Sequence, residues 1–233
     1  MRDAFHMDGI KILGDKLFTE AFFLAFLHGL FKNFIPAVSL KNGDTVFFFI
    51  FSDLIGHVGK AMPRVGSVVL SDYAKGALTP RVIRAVIDAA NAAGKPVVVD
   101  PKGRDYGIYR GATMITPNRQ ELAEATAKPA QTDEQVALAA AGLGGELGAK
   151  AVLVTRSEAG MTLVVGGDAK HVPAYPVRVR DVSGAGDTVV AVVSAMLAMG
   201  ADFESAMRAA NGAAAVVVGK RGTATLSVAE LRS

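Results

Sequence analysis

The sequence predicts an α/β fold, a mostly parallel sheet with helices on both faces. Three observations carry this. Short apolar runs alternate with segments of helical period through most of the 233 residues. The runs are apolar along their whole length, as strands buried on both faces must be. Polar residues follow them: Asp72, Asp100, Asn118, Thr155 and Asp181 lie at or just past predicted strand ends, where ligands sit in such folds.

The elements follow in order. Val65–Ser71 reads as a buried strand. Pro80–Ala93 has helical spacing, with Thr79 as N-cap and Gly94 as its stop. Val97–Asp100 and Ala112–Thr116 are strands, and Arg119–Ala127 and Thr132–Leu147 are helices. Ala151–Thr155 is a strand, and Met161–Val165 and His171–Val179 are two more, joined by a turn at Gly166–Asp168. Two helices close the series, Asp187–Met199 and Phe203–Val217, separated around Gly200.

Phenylalanine divides the chain. Eleven of the twelve lie between Phe5 and Phe51, and the other is Phe203. Residues 1–52 therefore form an atypical Phe-rich segment, and 53–233 form the α/β domain. The segment reads either as a helix followed by the strand TVFFFIF, or as sequence foreign to the domain through a frameshift or misplaced start.

Composition excludes several classes. The net charge is +3, and no Lys/Arg run interleaves with aromatics, which argues against nucleic acid. The chain has no cysteine, so disulfide scaffolds and thiolate zinc sites are out. No secretory signal is convincing, and the run from Ala21 to Phe31 is too short to span a bilayer. No membrane association and a cytoplasmic location are the expectations. No G-x-G-x-x-G follows a strand, which argues against a dinucleotide-binding oxidoreductase.

The most informative stretch is DVSGAGDT, Asp181 to Thr188, running into VVAVVSAML. It is a glycine-rich turn that becomes a helix. The first amides of a helix lack intrahelical partners and carry partial positive charge. Gly184 and Gly186 remove side chains that would keep an anion away, so Gly184, Ala185 and Gly186 form a candidate anion hole. Asp187 is a carboxylate held inside that cradle. Taking the proton of a hydroxyl that attacks a phosphoryl group is a task that suits it. Satisfying the helix dipole is the plainer reading.

Other motifs occur in register: SDYAKG (Ser71–Gly76), DPKG (Asp100–Gly103), RGAT–ITPN–QE (Arg110–Glu121), LVTRSEAGM (Leu153–Met161) and NGAAAVVVGKRGT (Asn211–Thr223). With DVSGAGDT they resemble the ribokinase-like sugar kinases of phosphofructokinase B type. SDYAKG and DPKG look most like the heptose-7-phosphate kinases among them. The resemblance runs from about Asp53 to the C-terminus. It implies a three-layer sandwich, ATP and Mg²⁺, and transfer of phosphate to the anomeric hydroxyl of a heptose 7-phosphate.

Residue by residue, the resemblance implies that Asp187 is the base. Asn118, Arg119, Gln120 and Glu121 stand near the nucleotide, with Asn118 and Glu121 serving Mg²⁺ indirectly. Read locally, Asn118 and Glu121 also suit helix capping. Thr155, Arg156 and Gly160 match the loop bordering the nucleotide, and Asn211 the helix lining the adenine. Asp72, Lys75 and Lys102 are candidates for the sugar phosphate, although loop lysines are commonly just solvated. Asp181 resembles the position that helps hold a monovalent cation such as K⁺.

The family's glycine–aspartate turn, its glycine–glycine–alanine–x–asparagine element and its lid strands have no match in residues 1–52. The expectation is therefore a fold whose N-terminal part and lid are truncated or replaced. Relatives are often homodimers through that lid. Some relatives carry a nucleotidyltransferase domain, and the expectation is that this chain, read to Ser233, has no room for one. The alternatives to an active heptose kinase are a nucleotide-binding inactive remnant and a kinase for another sugar phosphate.

Overall fold

The structure is a computed structural model that describes residues 55–73, 76, 78–222, 224–227 and 230. The Phe-rich segment and Lys75 lie outside the described residues, and so do the expectations placed on them.

Six strands form one sheet in chain order: β1 (Val68–Ser71), β2 (Val97–Asp100), β3 (Met114–Ile115), β4 (Ala151–Thr155), β5 (Met161–Val165) and β6 (Asp168–Val172). The first four are parallel, with Val68 opposite Val97, Val98 opposite Met114, and Met114 opposite Ala151. β5 and β6 turn back antiparallel. Side chains alternate between the faces with period two, and the core divides accordingly. Leu70, Val97, Val99, Ile115, Val152 and Val154 face one apolar cluster; Val98, Met114, Ala151, Leu153 and Leu163 face the other.

Helices α1 (Pro80–Ala92), α2 (Arg119–Thr126) and α3 (Asp133–Leu147) belong to the first face, and α4 (Ala185–Ala198) and α5 (Phe203–Val218) to the second. This is the three-layer arrangement expected. Four of these five helices start at a capping side chain; α4, which follows Gly184, has none. Thr79 Oγ1 accepts from the Val82 N–H at 3.3 Å, with Pro80 at the first position. Thr132 and Gln135 form a capping box, and Gly148 in the left-handed region ends α3. Asp202 accepts from the Ser205 N–H at 2.8 Å and opens α5.

Three strands are shorter than their apolar runs; β1 keeps Val68–Ser71 of the predicted Val65–Ser71. β3 keeps only Met114–Ile115 of the predicted Ala112–Thr116. The predicted strand His171–Val179 belongs to the sheet only through Val172. Pro173 and Pro176 have no N–H to donate to a ladder, so 173–180 continues outside the sheet. Among the described residues no helix is long and apolar enough to cross a membrane.

Candidate active site

The carboxyl ends of β1 to β4 converge on the first turn of α4. β1 delivers Ser71, Asp72 and Tyr73; β2 delivers Asp100; β3 leads to Thr116 and Asn118; β4 ends at Thr155. The last two ends are laced together. The Thr155 N–H donates to the Pro117 carbonyl at 3.1 Å, and Asn118 bridges to Thr155 in parallel.

α4 begins at Gly184, whose φ of 79° is the left-handed conformation that the turn requires. Asp187 stands in the first turn, exposed. The Tyr73 hydroxyl donates to Asp187 Oδ1 at 2.9 Å, and so ties the end of β1 to the start of α4. Burial and the Asp187 carboxylate push the Tyr73 hydroxyl above its usual range.

Asn118 and Glu121 cap α2 reciprocally. Asn118 Oδ1 accepts the Glu121 N–H at 2.9 Å, and Glu121 Oε2 accepts the Asn118 N–H at 2.9 Å. Lys102 Nζ donates to Glu121 Oε1 at 2.6 Å. Both oxygens of Glu121 thus have partners already. A metal would meet this pair through its waters, which suits Mg²⁺, a cation that keeps several of them.

A cavity of about 90 Å³ lies among these groups, lined by Asp100, Thr116, Asn118, Glu121, Thr155 and Gly186, with Val189 and Val190 on its apolar side. That volume holds about three waters, at roughly 30 Å³ each. It fits a phosphoryl group or a hydrated ion; a whole nucleotide would extend beyond it. Asp100 borders the cavity. Burial first, then the negative charges of Glu121 and Asp187, push its carboxyl up to about 6.

With this geometry in view, comparisons decide the family. The model of the pfkB family carbohydrate kinases matches residues 53–230. The chain belongs to that family. Among curated relatives, the bifunctional protein HldE of Rhodopseudomonas palustris (strain BisA53) is 57% identical over 180 residues, 77% of this chain and 37% of that protein. HldE of Bradyrhizobium sp. (strain ORS 278) is also 57% identical, with the same coverage. The chain therefore spans little more than a third of these relatives. Among solved structures, Arabidopsis thaliana ribokinase complexed with ribose and ATP has a TM-score of 0.63 at 28% identity, covering 73% of this chain and 54% of that one. Escherichia coli phosphofructokinase-2 in complex with potassium has a TM-score of 0.67 at 22% identity, covering 77% and 60%, and speaks for the fold.

The remaining residues of this pfkB family member fall into two groups. Asn118, Glu121, Thr155 and Gly186 line the cavity; Gly184, Ala185 and Asp187 adjoin Gly186 in the first turn of α4, and Lys102 is tied to the site through Glu121. Arg119 and Gln120 share the first turn of α2, where Gln120 Nε2 donates to Glu124 at 2.8 Å.

The others are held elsewhere. Arg156 is only 5% exposed; it pairs with Asp133 at 2.5 Å and donates to Thr162 Oγ1 at 3.1 Å, so its charge is spent within the fold. Gly160 has φ 82°, and a Cβ there would lie 2.1 Å from the Val172 carbonyl oxygen, so its requirement is steric. Asn211 is buried on α5 and donates to the Pro173 carbonyl at 2.8 Å. Asp72 is buried and accepts from the Tyr109 hydroxyl at 2.7 Å. Asp181 Oδ1 accepts the Ser183 N–H at 2.9 Å.

Tyr73 and Thr116 were not singled out from the sequence, and Asp100 was named only as a strand-end residue, with no role. Asp100 had a readable signal, a carboxylate closing a buried strand. Tyr73 had none, because only the fold sets a tyrosine after β1 against Asp187, 114 residues away.

Proposed function

We propose that this chain transfers the γ-phosphoryl group of Mg·ATP to the anomeric hydroxyl of D-glycero-D-manno-heptose 7-phosphate, giving the 1,7-bisphosphate. The observation that carries the proposal is Asp187, set in the first turn of α4 directly after Gly184–Ala185–Gly186 and facing the strand ends. Asp187 takes the proton of the attacking hydroxyl. The amides of the glycine turn stabilise the charge that builds on the transferring group. Asn118 and Glu121 position the hydrated Mg²⁺, which supplies charge neutralisation when bound. Lys102 orients Glu121.

The heptose assignment rests on SDYAKG and DPKG and on the HldE relatives. The test is ADP release by the 233-residue chain with Mg·ATP, with and without heptose 7-phosphate, beside Asp187→Asn. Sugar-dependent turnover that falls by about a hundredfold or more in the variant is the expected result. ATP binding without turnover would refute it in favour of an inactive nucleotide-binding protein. Turnover with another sugar phosphate alone would refute the substrate.

A further inference from the structure

Lys102 Nζ reaches Glu121 from a half-exposed side chain. A long lysine of that kind samples many rotamers, so its reach depends on how firmly its backbone is held. One hydroxyl holds it. The Lys102 N–H donates to Tyr109 Oη at 3.3 Å, and that hydroxyl donates in turn to Asp72 Oδ2 at 2.7 Å. Asp72 stands just past β1, where its own N–H donates to the Asp100 carbonyl at 3.0 Å. A single side chain thus joins the end of β1 to the loop that carries Lys102.

Tyr109 is well placed to do this. It closes a 3₁₀ turn, Tyr106–Tyr109, whose start is set by Asp105 Oδ1 accepting the Gly107 N–H at 3.0 Å. Its ring is fully buried in the first apolar cluster and meets the Tyr106 ring edge-on, with centroids 5.7 Å apart. Burial first, then Asp72, push its hydroxyl above the usual range, so it stays a donor. Packing alone asks only for the ring. A buried hydroxyl beside a buried carboxylate costs desolvation that an apolar pair would avoid. The hydroxyl therefore answers to its two partners, Asp72 and the backbone of Lys102.

We infer that Tyr109, anchored on Asp72, is a positioning residue: it fixes the backbone of Lys102 so that the lysine holds Glu121 in place for the hydrated Mg²⁺ of the nucleotide. The inference rests on the proposed reading of Asn118 and Glu121 as the groups that position that ion. Tyr109 acts only through Lys102. Asp72 is then an anchor within the fold, and its negative charge would repel a sugar phosphate.

The test is a double-mutant cycle, read by calorimetric titration of the 233-residue chain with a non-hydrolysable ATP analogue, once with Mg²⁺ and once with EDTA. Tyr109→Phe keeps the ring. It should weaken Mg²⁺-dependent binding by about threefold to tenfold, the range for one lost hydrogen bond, and leave binding in EDTA unchanged. In a Lys102→Met background the same change should add nothing. Asp72→Ala should reproduce the loss, and it carries the cycle if Tyr109→Phe melts below the assay temperature. An equal further loss in the Lys102→Met background would overturn the inference, and so would an equal loss in EDTA; either marks a tyrosine that merely supports the fold. Parent-like binding by Tyr109→Phe would overturn it too. Binding needs no turnover, so a parent chain that binds the analogue and transfers no phosphate would refute the proposed reaction and leave the cycle to decide on Tyr109. Parent binding that does not respond to Mg²⁺ would overturn the inference together with the metal reading beneath it.

Discussion

Asp100 offers a quantitative test of the site's electrostatics. Its carboxyl is raised from 3.8 to about 6 by burial, then by Glu121 and Asp187. A group whose proton is bound more tightly in the folded state costs stability as pH rises. The cost is absent below the unfolded value, grows between about pH 4 and 6, and is complete above that. Two pH units correspond to about 3 kcal/mol, and partial exposure trims this to about 1–2 kcal/mol. Asp100→Asn removes the charge and keeps the shape, including an oxygen for the Ser71 hydroxyl at 3.3 Å. The metal-free variant should therefore be more stable than the parent at pH 7.5, by about 1–2 kcal/mol, and show no advantage at pH 4. Urea denaturation at both pH values reads this directly. An equal difference at the two pH values, or a variant less stable at pH 7.5, would refute the argument.

Three further outcomes are expected. Tyr73→Phe removes the 2.9 Å bond to Asp187 from a half-exposed side chain, so stability should hold while kcat falls by about tenfold, read in steady-state kinetics with nucleotide affinity unchanged. Gly160→Ala puts a Cβ 2.1 Å from the Val172 carbonyl at φ 82°, and denaturation should show a loss of more than about 3 kcal/mol. Lys102→Met frees Glu121 Oε1 from its 2.6 Å contact; if that contact is its role, the KM for Mg·ATP should rise by about tenfold while the KM for the sugar stays put.

Much of this architecture was legible because it rests on local rules. Thr79, Asn118, Thr132 and Asp202 each cap the helix that follows, and every one of those helices starts within a residue of where the cap places it. β2, β4 and β5 match their apolar runs fully. The segment after Val172 was misread because alternating apolar residues, Tyr175, Val177 and Val179, imitate a strand. The two prolines among them settle the matter through a missing donor, which a hydrophobic pattern does not record. In the site, the glycine turn and the strand ends were readable as residue types at fixed offsets. Lys102 and Arg156 were readable as candidates, but the contacts of Tyr73, Lys102 and Arg156 were not, because their partners, Asp187, Glu121 and Asp133, are chosen by the packing of distant elements. Arg156 shows the limit plainly: after a strand it looks like a free surface charge, yet it is buried with an ion pair.

The arrangement around the small cavity is costly as a piece of protein. Asp100, Glu121 and Asp187 are close enough that the charges of the latter two raise the carboxyl of the first. Among the described residues Lys102 is the cation in direct contact with them, and it is spent on Glu121. A sequence selected for stability alone would place an amide or an apolar residue at one of these positions. Retaining three carboxylates beside a helix start built to receive an anion makes physical sense if positive charge arrives with the ligand. Under the proposed function, a hydrated divalent ion carried by a polyphosphate would bring that charge, relieve Asp100 and leave Asp187 free to accept a proton. The local rules of folding fail at the point where phosphoryl chemistry would use the strain, as expected of a functional site.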